Sequence, residues 1–212
     1  MQRRHLSRVL ALVLLSALAW SGLPARAADE APDAMIRRLS DEVLERIKSD
    51  KLLQSGDVSR FVALVDEKIM PHLDFERMTA SAVSAPWSRA TPEQQKSLQE
   101  AFKILLVRTY AGALAQVGDQ AIAVRALRAA PEDKEVVVRT EVRGRGEPTQ
   151  LDYRLARVPE PGNGWRIYNF NVGGVWLVEI YRSQFASLIG AKGIDGLIDT
   201  LKERNQSNAK SR

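Results

Sequence analysis

The sequence contains no cysteine, so it can form no disulfide and offer no thiolate ligand. Outside a reducing compartment the chain must therefore be held together by packing alone. Histidine is almost as scarce: of the two present, His5 lies in the first 27 positions and only His72 lies beyond them. One imidazole and no thiolate leave no ordinary zinc, copper, haem or iron–sulfur site, although an all-carboxylate calcium or magnesium site stays open. After Ala28 there is no long apolar run, no internal repeat and no linker long enough to divide the chain into two domains. With 212 residues, 45% hydrophobic, 27% charged and 6% aromatic, collagen-like and wholly disordered classes are excluded and one ordinary domain fits.

Acidic residues are missing from positions 1–27, where Arg3, Arg4, Arg8 and Arg26 precede or follow an apolar run from Val9 to Trp20. Gly22-Leu23-Pro24 breaks that run, and Ala25-Arg26-Ala27 stands before Ala28. This is the layout of a secretory signal peptide, with a run too short to span a bilayer. Cleavage near Ala27 leaves 185 residues, and loss of those four arginines lowers the formal charge from +5 to +1. The basic character was mostly the leader, so no nucleic-acid partner is expected. The mature chain is expected in a periplasm, as one domain over 28–204 followed by a flexible polar tail, 205–212.

Helical spacing fills the first half. Met35, Leu39, Val43, Leu44 and Ile47 make one stripe, closed by Gly56. Asp57 is placed to cap a second helix through Ile69, ended by Pro71, and Asp74 to cap a short third. Thr91-Pro92-Glu93-Gln94 is a capping box with proline at the first helical position, so a long helix should run to about Val117. The period then changes to two. Val136, Val138, Thr140 and Val142 alternate with Val137, Arg139, Glu141 and Arg143; Leu151, Tyr153 and Leu155 with Asp152, Arg154 and Ala156; Trp165, Ile167 and Asn169 with Arg166, Tyr168 and Phe170. With a strand near Gln120 to Leu127, this predicts a four-stranded antiparallel sheet. Helix returns from Leu177 to Leu188, breaks at Gly190 and Gly193, and resumes with Ile194, Leu197, Ile198 and Leu201. The order is α+β.

Catalytic chemistry is hard to find. Only His72 could serve a nucleophile triad or act as a general base, and its place at a helix boundary fits a surface or capping residue. Asp41-Glu42, Asp66-Glu67 and Glu132-Asp133 are adjacent and diverge in either helix or strand. Gly144-Arg145-Gly146 and Gly190-Ala191-Lys192-Gly193 lack the spacing of a phosphate loop. No catalytic residue, metal or cofactor is assigned.

Several ordered stretches nevertheless carry a resemblance: Ala90-Thr91-Pro92-Glu93-Gln94 leading to Phe102 and Thr109-Tyr110-Ala111, Leu151-Asp152-Tyr153-Arg154-Leu155, Trp165 to Gly174, Tyr181-Arg182-Ser183-Gln184-Phe185, and Gly193-Ile194-Asp195-Gly196-Leu197. Over nearly the whole mature chain the sequence resembles the MlaC, or toluene-tolerance, family of periplasmic phospholipid-binding proteins. The resemblance implies a curved sheet with helices around a deep apolar pocket. It also implies a shuttle of phospholipid between an outer-membrane lipoprotein complex and an inner-membrane ABC transporter bearing an MCE-domain protein. Two positions depart from the family pattern: Asn169 where aspartate is usual, and Trp176 where a serine is usual. Were Trp176 to point inward it would reshape the pocket, which opens the alternative of a hopanoid or other polycyclic lipid.

An enclosed pocket is what such cargo requires. Two acyl chains carry on the order of 30 methylenes, and exposing them at ~0.8 kcal/mol each would cost over 20 kcal/mol. The lining is drawn from Phe102, Leu106, Tyr110, Val138, Tyr153, Leu155, Ile167, Leu177, Tyr181 and Phe185. Arg143 and Arg145, at the hairpin turn, are candidates for a headgroup or partner contact, with a solvated turn as the competing reading. The expected protein is a monomeric carrier. An α+β enzyme using His72, and an adaptor with a filled core, are the rivals.

Overall fold

A computed structural model describes residues 30–117, 120–130, 132–144, 146–159 and 164–210. The leader and Arg145 lie outside the described residues. The helices that start at Lys51, Val58 and Phe75 each begin where an aspartate side chain takes up orphan N–H groups, whereas the one that starts at Pro32 follows Ala31 without a side-chain cap. Helix α1 (Pro32–Ser49) has proline in its first turn and Arg46 and Lys48 in its last. Asp50 then accepts from the Leu52 and Leu53 amides to start α2 (Lys51–Gln54). Asp57 caps α3 (Val58–Leu64), and Asp74 caps α4 (Phe75–Val83). Helix α3 does not stay α-helical to Ile69 as its spacing predicts: Val65–Ile69 widens into a π turn and Met70–His72 tightens into a 3₁₀ turn at Pro71. Helix α5 (Pro92–Ala115) opens on the predicted capping box, Thr91 and Gln94 each bonding the other's amide.

The sheet carries six strands among the described residues, in the order β1–β3–β4–β5–β6 with β2 also paired to β4. They are β1 (Ala121–Val124), β2 (Glu135–Val138), β3 (Thr140–Arg143), β4 (Thr149–Arg157), β5 (Trp165–Val172) and β6 (Val175–Trp176), all antiparallel. The count exceeds four because the two-residue β6 is added and one expected strand divides at Arg139. The division has a local cause. Thr140 gives its amide to the Asp152 carboxylate (3.0 Å) and its hydroxyl to the Leu151 carbonyl, so side chains replace ladder bonds there. Asp152, which alternation sets on the face opposite Tyr153, is only 3% exposed and serves as this stand-in acceptor.

In β5 strict alternation fails. Leu155 pairs with Ile167 but Arg154 pairs with Asn169, so Tyr168 is an extra residue and the strand bulges. Beyond the bulge Phe170 and Val172, opposite Tyr153 and Leu151, join the apolar face, and Asn169 and Asn171 turn to the other. The last helix, α6 (Leu177–Lys210), bends at Gly193 (φ 72°, ψ −174°) and stays helical through Gly190. It also continues past Asn205, where the polar tail was expected. Asn205 is buried and donates to the Ala101 carbonyl on α5 at 2.9 Å, fixing that turn of helix.

The main core lies between the sheet, the first half of α1, α4, the first half of α5 and α6. A second, smaller core of Ile47, Leu53, Phe61, Leu64, Val107 and Ala111 joins α1, α2, α3 and the second half of α5. Helix α5 thus ties both together, showing Leu98, Phe102 and Leu105 to one and Val107 and Ala111 to the other.

Candidate functional site

All ten residues proposed to line a pocket fall in or against the main core. Phe102 stands on α5, Val138 on β2, Tyr153 and Leu155 on β4, Ile167 on β5, and Leu177, Tyr181 and Phe185 on α6; each is buried. Leu106 and Tyr110, about one and two turns beyond Phe102 on α5, are half-buried and pack against the same cluster. The rings interlock: Phe102 meets Tyr181 edge-on at 4.9 Å and Phe185 at 5.2 Å, and Tyr181 lies 5.6 Å from Phe185. Such pairs add about 0.5–1.5 kcal/mol each beyond area burial.

Polar groups in this interior are few, and among them the Asn205 Oδ1 is buried without a partner among the described residues. The Tyr153 phenol bonds Ser40 and Thr140, and burial pushes it up to about 12 despite those bonds, so it stays neutral at any ordinary pH. Burial likewise raises Tyr181, whose hydroxyl bonds Thr109, and Tyr110. A region that keeps its phenols protonated and lined by aliphatic and aromatic carbon suits an uncharged hydrocarbon.

Sequence reasoning missed members of this cluster. Phe75 stacks on Phe102 at 5.9 Å, and Met78 beside it is fully buried; both sit on α4, whose shortness hid its stripe. Phe170, 5.6 Å from Tyr153, was assigned to the wrong face because a bulge leaves no mark in an alternating pattern.

The remaining candidates lie apart from the core. Arg143 is exposed and paired with Glu141 at 2.8 Å, which also holds Arg125 at 2.5 Å. Trp176 does not enter the interior. Its ring lies under the Arg154 guanidinium at 3.9 Å, on the sheet face that carries Asn169 and Asn171. Arg154 is bonded to Glu179 at 2.6 Å, and Glu179 accepts from Asn169 at 2.8 Å, so both departures from the family pattern meet in one network outside the core. His72 ends the 3₁₀ turn; burial, and then Arg38, hold its imidazole below the usual value. Two open clefts mark the surface. One, about 610 Å³, lies between α1 and β1 beside Leu44 and Ile122; the other, about 470 Å³, lies between α4 and the β4–β5 end. Neither is lined by any of the ten core residues. Among the described residues no group of three or more His, Asp or Glu is placed to hold a metal, and no helix is long and apolar enough to cross a membrane.

An antiparallel sheet with helices packed on its apolar face, around an aromatic-rich main core, defines an α+β protein. The chain belongs to the MlaC family, whose model matches residues 37–203. It is 28% identical over 170 residues to the toluene tolerance protein ttg2D of Pseudomonas putida, covering 79% of this chain and 77% of that one. It is 19% identical over 177 residues to the intermembrane phospholipid transport system binding protein MlaC of Haemophilus influenzae, covering 83% of each. The fold superposes, with a TM-score of 0.80 and 47% identity, on the phospholipid-binding protein from Ralstonia solanacearum solved in complex with a phospholipid. That match covers 86% of this chain and all of the other.

Proposed function

We propose that the mature chain is a periplasmic carrier that encloses the acyl chains of a phospholipid among the ten core residues and leaves the headgroup at the surface. It moves lipid between an outer-membrane lipoprotein complex and an inner-membrane MCE-bearing ABC transporter, as a monomer and without catalysis of its own. The observation that carries this is the likeness, at 47% identity over 86% of the chain, to a protein solved with a phospholipid bound. Physics supports it: transfer of acyl chains from a bilayer to an apolar interior is nearly balanced, whereas their passage through water is not. The position of Trp176 outside the core removes the reason for preferring a polycyclic lipid.

Native mass spectrometry of the protein recovered from a periplasm, followed by organic extraction, tests the reading. One diacyl phospholipid per chain is expected. A bare mass under gentle conditions would favour an adaptor with a permanently filled core, and a polycyclic lipid would replace phospholipid as cargo.

A further inference from the structure

The cleft at the start of α4 differs from an ordinary surface depression in its floor and in its rim. Leu73 and Phe75 form the floor, and both are buried members of the main core. Phe75 stacks on Phe102, which in turn touches Tyr181 and Phe185, so one aromatic side chain separates the cleft from the proposed acyl site. The floor is fixed from below: Asp74 donates its amide to the Ile167 carbonyl at 2.8 Å, and Leu73 bridges the same residue.

The rim carries two guanidinium groups and two carboxylates. Arg166 is exposed and oriented by Nη1 bonds to the Pro71 and Leu73 carbonyls at 3.0 and 3.3 Å. A guanidinium has five donors, so these bonds aim it without exhausting it. Arg157 lies over the Trp165 ring at 4.6 Å and donates to the Asp133 carbonyl. The same cleft is lined by Asp74, the N-cap of α4, whose Oδ1 accepts the Arg77 amide at 3.0 Å, and by the exposed Glu76 in the first turn. A rim of one sign would suit a monoanion or a cation. This one, with both signs over an apolar floor, matches a molecule with a phosphate, an ammonium and a hydrocarbon end.

We propose that this cleft is the headgroup subsite of the carrier and that it selects zwitterionic phospholipids, the phosphate lying on Arg157 and Arg166 and the ammonium on Glu76 and Asp74. The acyl chains pass beside Phe75 into the core. This rests on the carrier reading above, and the test separates the two.

Protein purified from a periplasm and stripped of lipid is incubated with vesicles holding equal amounts of phosphatidylethanolamine and phosphatidylglycerol with identical acyl chains. Native mass spectrometry then counts each bound species. About a threefold excess of phosphatidylethanolamine is expected, the scale of an exposed ion pair. Glu76→Gln, on an exposed helical turn, should bring the two to parity, and Arg166→Gln should lower loading of both about threefold. Equal loading of both lipids by the unaltered protein, or an excess that survives Glu76→Gln, overturns the selective subsite and leaves the carrier standing. Loading of neither lipid overturns both.

Discussion

Asn169 shows how one side chain can settle a local arrangement. Its Oδ1 accepts the Phe170 and Val178 amides, the latter at 3.1 Å in the first turn of α6, and its Nδ2 donates to Glu179. Burial pushes the Glu179 carboxyl up, but bonds from Asn169 and Arg154 outweigh it and hold the group below its usual value. An aspartate here would set a second carboxylate against Glu179 with no proton between them. Asn169→Asp is therefore expected to cost about 1–3 kcal/mol at pH 7, the penalty for a buried polar pair left unsatisfied. The deficit should shrink as pH falls toward 5, because the pair can then share a proton. Urea denaturation at the two pH values measures it; an equal deficit at both would show that the carboxylates do not meet.

His72 invites the opposite kind of test. Its depressed basicity means that the unfolded chain takes up the proton first, so stability falls as pH drops through about 6.5. His72→Ala should flatten that part of the stability profile and leave the bound lipid unchanged. Loss of lipid, or of any pH-dependent hydrolytic activity, would reinstate the imidazole as a working group.

At the level of elements, the two glycines of α6 separate what packing tolerates from what the backbone requires. Gly190 is helical, with nothing within 4 Å of where a Cβ would stand. Gly190→Ala should raise stability by roughly 0.5–1 kcal/mol. Gly193 has equally open surroundings but a φ of +72°, in a region that side-chain-bearing residues avoid. Gly193→Ala should cost about 1–3 kcal/mol or straighten the helix. Straightening would draw Asp195 away from Gln94, to which it is bonded at 2.7 Å, and so loosen the α5 capping box as well. Thermal denaturation should give shifts of opposite sign for the two variants, each about 2–4 °C per kcal/mol for a chain of this size.

These elements also show what a sequence discloses. The start of α5 is legible because four adjacent residues write it, and the faces of β2, β3 and β4 because alternation is local. The bulge at Tyr168 depends on which residues of β4 sit opposite, information that β5 does not contain. Helix α6 runs through Gly190 because burial of Phe185, Leu197 and Leu201 outweighs the ~1 kcal/mol propensity cost of one glycine, a balance no window of residues reveals. The core membership of the ten lining candidates follows from hydrophobic faces, whereas the side of the sheet that Trp176 takes follows from Arg154 two strands away.

For the whole molecule, the issue is how an interior lined by its own interlocking rings receives two acyl chains. Protein interiors do not stretch evenly; they open where contacts are fewest. On α5 that place is the half-buried pair Leu106 and Tyr110, beyond the fully enclosed Phe102, and on α4 it is Phe75, at the floor of the headgroup cleft. A charge set at Tyr110 can reach water without unfolding the protein, since the position is not sealed, yet it cannot be desolvated against hydrocarbon without losing several kcal/mol. Tyr110→Lys is thus expected to keep its far-UV circular dichroism and to lower the lipid recovered per chain at least tenfold. Leu155→Asp, at a fully buried site, should instead lose the fold, and comparing the two distinguishes loss of cargo from loss of structure. Full lipid content in Tyr110→Lys would move the acyl chains away from α5 and toward the α4 side, leaving Phe75 and Met78 as the wall to alter next.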